Sequence, residues 1–287
     1  MRVLMLVYTL FVLLLVPPHA DAALRPGHTT ASSLVKNHIR QKVGKDFADA
    51  LFADPRFVLD PTLFPRYPKK LATPQRRPRK PDYDYVFSEW SRAEGKLFLQ
   101  DNQVAFDHEE KTFGIPRDIV NALLNIETQW GRVTGNRPVI TTLYTLAVMR
   151  PDRIKPGWPE EQLIAFLVFC KENHLDPFSI KGSRTGAFGL AQFEPTSYSV
   201  FATHCEADND PPDLFNDADA ICSIGNYIHR AGWGSSEASR RKAILAYNHD
   251  RFYAAAVMDY ADLTRTNAPP HRYRFTRPAA IERAAIK

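Results

Sequence analysis

The chain has 287 residues, 44% of them hydrophobic and 24% charged, the composition of a folded globular protein rather than of a disordered tail. Its formal charge of +5 and pI near 9.0 are concentrated in two short arms, so the fold between them is not itself basic. No Cys or His spacing matches a zinc site, and no apolar stretch beyond the N-terminus is long enough to span a bilayer.

Residues 1–22 read as a secretory signal peptide. Arg2 precedes the apolar run Leu4 to Val16, then come Pro17-Pro18 and the small-residue pattern Ala20-Asp21-Ala22, with cleavage expected before Ala23. No cysteine stands at that point, so no lipid anchor is indicated, and no stable membrane anchor is expected after cleavage. Residues 23–85 form an N-terminal helical segment and a linker. Within it, 61–81 carries Arg66, Lys69, Lys70, Arg76, Arg77, Arg79 and Lys80 among Pro65, Pro68, Pro74, Pro78 and Pro81, with no acid. Such a stretch cannot form a regular helix and reads as an extended strap. The tail 266–287 is similar, with Pro269-Pro270 and Arg272, Arg274 and Arg277. The arms could meet an anionic polymer, but no aromatic ladder accompanies the charges, which favours a solvated linker and no nucleic-acid partner.

Between the arms, residues 86–265 show apolar spacing near 3.6. Helices are predicted near 35–53, 86–112, 116–130, 139–149, 159–173, 191–203, 217–231, 238–247 and 250–264. The stretch 176–189, with Pro177, Gly182, Gly186 and Gly189, breaks the pattern as a turn or short hairpin. The predicted architecture is mainly α, with one small β or irregular element.

In the helix opened by Pro116, Val120, Leu123, Leu124 and Glu127 fall on one face. A carboxyl set into an apolar face is partly desolvated, and if Gly131 ends the helix the negative dipole end also raises its pKa. The acid then keeps its proton near neutral pH, as a glycosidic general acid must. The plainer alternative is a solvated glutamate at the edge of a stripe. Ser183 and Gln192, in the glycine-rich stretch 181–198, are uncharged hydrogen-bonders suited to sugar hydroxyls and acetamido groups, although such a stretch is also an ordinary turn. It lacks the Lys-Ser/Thr ending of a phosphate loop. Tyr247 and Asn248 close one apolar helix before Phe252-Tyr253. They fit a sugar-stacking ring and an amide for an N-acetyl group, or equally a core tyrosine and a helix cap. Of three cysteines, Cys205 and Cys222 flank a polar loop and are expected to pair, leaving Cys170 as a buried core thiol.

Three segments occur in order: Glu-Thr-Gln-Trp-Gly at 127–131, Gly-Ser-x-x-Gly-Ala-x-Gly-x-x-Gln-Phe-x-Pro-x-Ser-Tyr at 182–198, and Ala-Tyr-Asn at 246–248. Together with Gly114-Ile115-Pro116, Asn226-Tyr227 and Gly232-Trp233, this pattern resembles the lytic transglycosylases of the membrane-bound B type (glycoside hydrolase family 103), from about Phe87 to Leu263. The resemblance implies a lysozyme-like α+β fold and cleavage of the β-1,4 bond between N-acetylmuramic acid and N-acetylglucosamine in peptidoglycan. It places Glu127 as the single catalytic acid/base, with the muramyl 6-hydroxyl closing a 1,6-anhydro ring. Ser183, Gln192, Tyr227, Tyr247, Asn248, Tyr253 and Arg153 match positions lining the glycan cleft. No cofactor or metal is implied here. The stretch 205–216 aligns with a calcium loop of some members but lacks its glycine and its carboxylates at the first, third and last positions, and a Cys205–Cys222 bridge would replace the ion. Tyrosines after the catalytic helix are replaced by Arg150 and Pro156. Glu194 is expected to point away from the cleft. The expected protein is a periplasmic monomer acting on glycan strands; the alternatives are a lysozyme-type hydrolase using water and a non-catalytic glycan-binding scaffold.

Overall fold

A computed structural model describes residues 26–63, 83–149, 154–206 and 210–266. The expected signal peptide, most of the basic strap, the C-terminal tail, Arg150 and Arg153 lie outside the described residues.

The N-terminal helix predicted over 35–53 is two helices, α1 (Pro26–Val43) and α2 (Lys45–Ala53), because Gly44 takes a φ of 90° between them. The carbonyl of Val43, freed at the break, accepts a hydrogen bond from Lys171 Nζ at 2.8 Å. Likewise the helix predicted over 86–112 divides at Asn102 into α3 (Glu89–Asp101) and α4 (Gln103–Phe113). Ser88 caps α3 by accepting from Ser91 N, and Gly114 closes α4 in the left-handed region. The apolar period runs through both breaks, so periodicity alone could not register them.

The central element is α5 (Arg117–Thr128). Every residue from Ile119 to Ile126 is buried, including Asn121 and Asn125. The helix is therefore surrounded rather than striped, packed against α3, α4, α9 (Asp217–Arg230) and α11 (Arg251–Thr266). Of its two buried amides, Asn121 is bonded at both ends and Asn125 through its nitrogen, with no partner for Asn125 Oδ1 among the described residues. Asn121 Nδ2 donates to Gly95 O at 3.3 Å while its Oδ1 accepts from Trp130 Nε1 at 2.7 Å, and Asn125 Nδ2 donates to Ser91 Oγ at 2.8 Å.

On the other side, α6 (Val139–Met149) and α7 (Trp158–Glu172) pack together, and α1 lies across both. One hydrophobic core runs from Val35, Ile39 and Leu51 through α5 to Tyr260. The small β element pairs β1 (Arg137–Pro138) antiparallel with β2 (Lys181–Gly182), and single bridges extend it to Phe188 and Phe193. Phe188 and Phe193 exchange backbone hydrogen bonds, and Gly189 and Gln192 between them are left-handed. This corrects the predicted helix over 191–203: α8 (Pro195–Phe201) begins only after that tight loop. Helix α10 (Glu237–Tyr247) leads into α11.

Cys205 and Cys222 form a disulfide with Cα atoms 5.3 Å apart, and Cys170 is a buried free thiol. Burial pushes the Cys170 thiol up to about 12, which makes it inert. The loop beyond Cys205 is also tied to α9: His204 faces Asp219 through Nδ1 and the carbonyl of Asp210 through Nε2, and Asp213 N donates to Asp219 Oδ2 at 2.8 Å.

Candidate active site

Helix α5 ends at Thr128, two residues before the predicted end at 130. Gln129 is its left-handed C-cap, followed by Trp130 and Gly131, also at positive φ. Glu127 still occupies the last turn, where the helix dipole opposes a negative charge. The turn is pinned from outside: Thr128 Oγ1 donates to Leu190 O at 3.0 Å and accepts from Gly131 N at 3.0 Å. The glycine-rich loop is thereby fastened to the residue next to Glu127.

Glu127 itself is partly buried. Burial raises its carboxyl to about 7, and a hydrogen bond of 2.5 Å from the Tyr253 hydroxyl to Oε1 holds it below where burial alone would put it. Tyr253 is 2% exposed, so this bond is shielded from water. The site therefore holds one carboxyl poised to give or take a proton near neutrality.

The other expected residues sit as follows. The Tyr247 hydroxyl donates to Ala191 O, and its phenol is raised well above 10 by burial and by the charge of Glu127. Tyr247 packs edge-on against Tyr227, with ring centroids 4.8 Å apart, and Phe193 lies within 6 Å of both. Tyr227 donates to Ala246 O at 2.7 Å. These three rings hold the 188–193 loop against α9 and α10. Gln192 spends its amide nitrogen on Thr134 O at 3.1 Å and Gly189 O at 2.9 Å. Ser183 Oγ accepts from the backbone N of Ala187 and Thr185, organising the glycine turn. Asn248 is the C-cap residue of α10, and its Oδ1 accepts from Asp250 N at 3.1 Å. No hydrogen bond joins Ser183 or Asn248 to Glu127 among the described residues. The structure thus gathers Tyr253 and Tyr247 around Glu127, and gives Ser183, Gln192 and Asn248 local structural bonds.

Glu194 accepts from Trp158 Nε1 at 3.3 Å, and burial raises its pKa. Two cavities, of about 240 and 440 Å³, are lined by none of these residues.

Tyr83 and Tyr85, in the 3-10 turn region before α3, belong to this neighbourhood and were not singled out from the sequence. Tyr85 donates to Ile126 O at 3.0 Å, satisfying a carbonyl that the end of α5 leaves open. Tyr83 donates to Asp250 Oδ2 at 3.2 Å and sets its ring edge-on to Tyr253 at 6.1 Å. Both phenols are raised by burial first and by the charge of Glu127 among the lesser causes. The Tyr-Asp-Tyr run at 83–85 was the available signal, but it abuts the basic strap and has no helical period to place it.

Comparison with known proteins identifies the family and the fold. The family model described as the transglycosylase SLT domain matches residues 28–243. Membrane-bound lytic murein transglycosylase B of Escherichia coli (strain K12) is 32% identical over 139 residues, 48% of this chain and 38% of that protein, so the aligned stretch spans well under half the length of the curated relative. Among solved structures, soluble lytic transglycosylase SltB1 of Pseudomonas aeruginosa superposes with a TM-score of 0.70 at 21% identity, covering 83% of this chain and 100% of that one. Escherichia coli SLT35 in complex with bulgecin A gives 0.70 at 20% identity, covering 86% and 95%. Pseudomonas aeruginosa SltB3 in complex with NAG-anhNAM-pentapeptide gives 0.69 at 20% identity, covering 82% and 80%. At these identities the superpositions establish a shared fold.

Proposed function

The chain belongs to the transglycosylase SLT domain family, and on that premise we propose that it is a peptidoglycan lytic transglycosylase with Glu127 as its single acid/base. Glu127, protonated near neutral pH, gives its proton to the oxygen of the MurNAc-β-1,4-GlcNAc bond as the C1–O bond breaks. The carboxylate left behind then takes the proton of the muramyl 6-hydroxyl, whose oxygen bonds to C1 and closes the 1,6-anhydro ring. The proton balance is zero over the cycle, and no water or second carboxylate is consumed.

The observation that carries this reading is the setting of Glu127: a partly buried carboxyl raised to about 7 by desolvation, with a phenol as its hydrogen-bond partner. A hydrolase usually pairs its acid with a second carboxylate. Asp250 approaches through Tyr83, but its oxygens are occupied by Tyr83 and by Phe252 N. The anhydro-sugar ligand bound by the structural neighbour SltB3 supports the same reaction class. Ser183, Gln192, Tyr227, Tyr247, Asn248 and Arg153 are assigned to the glycan cleft on the family resemblance, with Tyr253 tuning the acid. The same reading makes the chain a periplasmic monomer, exported by residues 1–22 and acting on glycan strands.

Mass spectrometry of digested sacculi tests the reaction. The expected products end in 1,6-anhydroMurNAc; reducing ends alone would establish a water-using hydrolase instead. A Glu127→Gln variant that digests walls as fast as the parent would show that Glu127 is not the catalyst, and a parent that binds walls without digesting them would leave only a glycan-binding scaffold.

A further inference from the structure

Two large aromatic side chains packed near the C-terminal end of α5 stand open to solvent. Tyr85 is 45% exposed and Trp90, in the first turn of α3, is 46% exposed. Neither is loose. The Tyr85 hydroxyl is bonded to the carbonyl of Ile126, one residue from Glu127, so its ring lies at the open end of α5. Trp90 sets its ring edge-on to Trp130, with centroids 6.3 Å apart, and Trp130 is itself tied through Nε1 to Asn121. The Arg132 guanidinium lies over Trp90, 5.1 Å from its centroid, and is fixed by an ion pair with Glu94 at 2.5 Å.

The result is a fixed aromatic surface with a charged, hydrogen-bonding rim. The apolar C–H face of a pyranose stacks on such a ring, while Arg132 and Glu94 offer a donor and an acceptor to its hydroxyls and acetamido group. A rigid two-torsion side chain gives that contact at low entropic cost. Tyr85 is anchored at Ile126 and Trp90 at Trp130, residues that flank Glu127 in the chain at the end of α5, and this placement selects the strand being cut over an unrelated partner.

We propose that Tyr85 and Trp90 form an additional saccharide subsite beside the Glu127 cleft, taking an N-acetylhexosamine unit of the same glycan strand. This rests on the glycan reading above. Such a subsite rewards long strands, because short ones fill the cleft without reaching it.

The test compares kcat/KM for purified long glycan strands and for a GlcNAc-MurNAc tetrasaccharide, using the full-length enzyme. Trp90→Ala is expected to lower the long-strand value by about five- to tenfold and to change the tetrasaccharide value less than about twofold. Trp90→Tyr, which keeps a stacking face, is expected to restore most of the loss, and Val104→Ala, exposed elsewhere on the surface, to match the parent. In a Glu127→Gln background, chitohexaose is expected to quench tryptophan emission, with a weaker affinity once Trp90 is also replaced.

Equal loss on both substrates, or no loss on either, overturns the subsite. So does a parent dimer that dissociates on Trp90→Ala in sedimentation, which would make the patch a contact between copies. A parent enzyme that releases no product from glycan strands, anhydro or reducing, refutes the glycan reading itself, whatever Trp90 does.

Discussion

Replacing Tyr253 by Phe isolates the hydrogen bond that reaches the proposed acid. Tyr253 is 2% exposed, so the Phe ring fills the same space and removes only the hydroxyl. That hydroxyl donates to Glu127 Oε1 at 2.5 Å and favours the charged carboxylate. A hydrogen bond to a charged acceptor is worth about 1.5–3 kcal/mol, and 1.36 kcal/mol corresponds to one unit of pKa, so the Glu127 carboxyl should rise by about one to two units. It starts at about 7. The general acid is the protonated form, and activity is lost as pH rises through its pKa. In the variant, the alkaline limb of kcat/KM should therefore move up by about one to two pH units. The assay is the initial rate of soluble anhydromuropeptide release from sacculi between about pH 5 and pH 10, the range that brackets both limbs. A limb that stays in place, or moves to lower pH, would refute the assignment of Tyr253 as the donor that depresses this acid.

Glu127→Gln cannot give or take the proton and should lower anhydromuropeptide release at least about a hundredfold, read by the same assay, with a thermal transition at neutral pH no lower than the parent's, because the desolvated carboxyl is removed. Glu109, wholly buried on α4 against Gly225 with neither carboxyl oxygen hydrogen-bonded, is raised from 4.5 to about 9 by desolvation. It binds its proton more tightly folded than unfolded, so its contribution to stability is greatest below pH 4.5 and falls by about 1.4 kcal/mol per pH unit up to about pH 9. Urea unfolding across that window should show a shallower pH slope for Glu109→Gln; an unchanged slope would mean that the carboxyl is solvated. The Cys205–Cys222 bridge closes a 17-residue separation worth about 3 kcal/mol, so paired Ser substitutions should lower Tm by about 5–10 °C, whereas EDTA should leave it unchanged. A large drop with EDTA would show that an ion, not the bridge, secures the 205–216 loop.

Periodicity located α5, α6, α7, α9, α10 and α11 closely, because each carries an apolar face set by local spacing. It missed what depends on partners far along the chain. Asn121 and Asn125 are buried in α5, and Gly95 and Ser91, far along the chain, supply their hydrogen bonds together with Trp130. The run Ala191-Gln192-Phe193 suits a helix on propensity, but its backbone pairs Phe193 with Phe188, and Gln192 turns left-handed to allow it. Glu127 was legible as an acid among apolar neighbours. Its phenol partner, 126 residues away, was placed near it only by resemblance, and Tyr83 and Tyr85 carried no period at all. Glu109 shares a face of α4 with the buried Ala105 and Phe106, while its half-buried neighbour Glu110 faces Arg117.

The enclosure of α5 has a consequence for how the protein fails. A helix walled in on all sides by α3, α4, α9 and α11 has no partial opening that releases it alone, so the amides of its middle turns should exchange with solvent deuterium only through global unfolding. The proposed acid rides on the end of that helix. The fraction of time it spends out of position is then the fraction of time the whole molecule is unfolded, and heat inactivation should trace the unfolding curve rather than precede it.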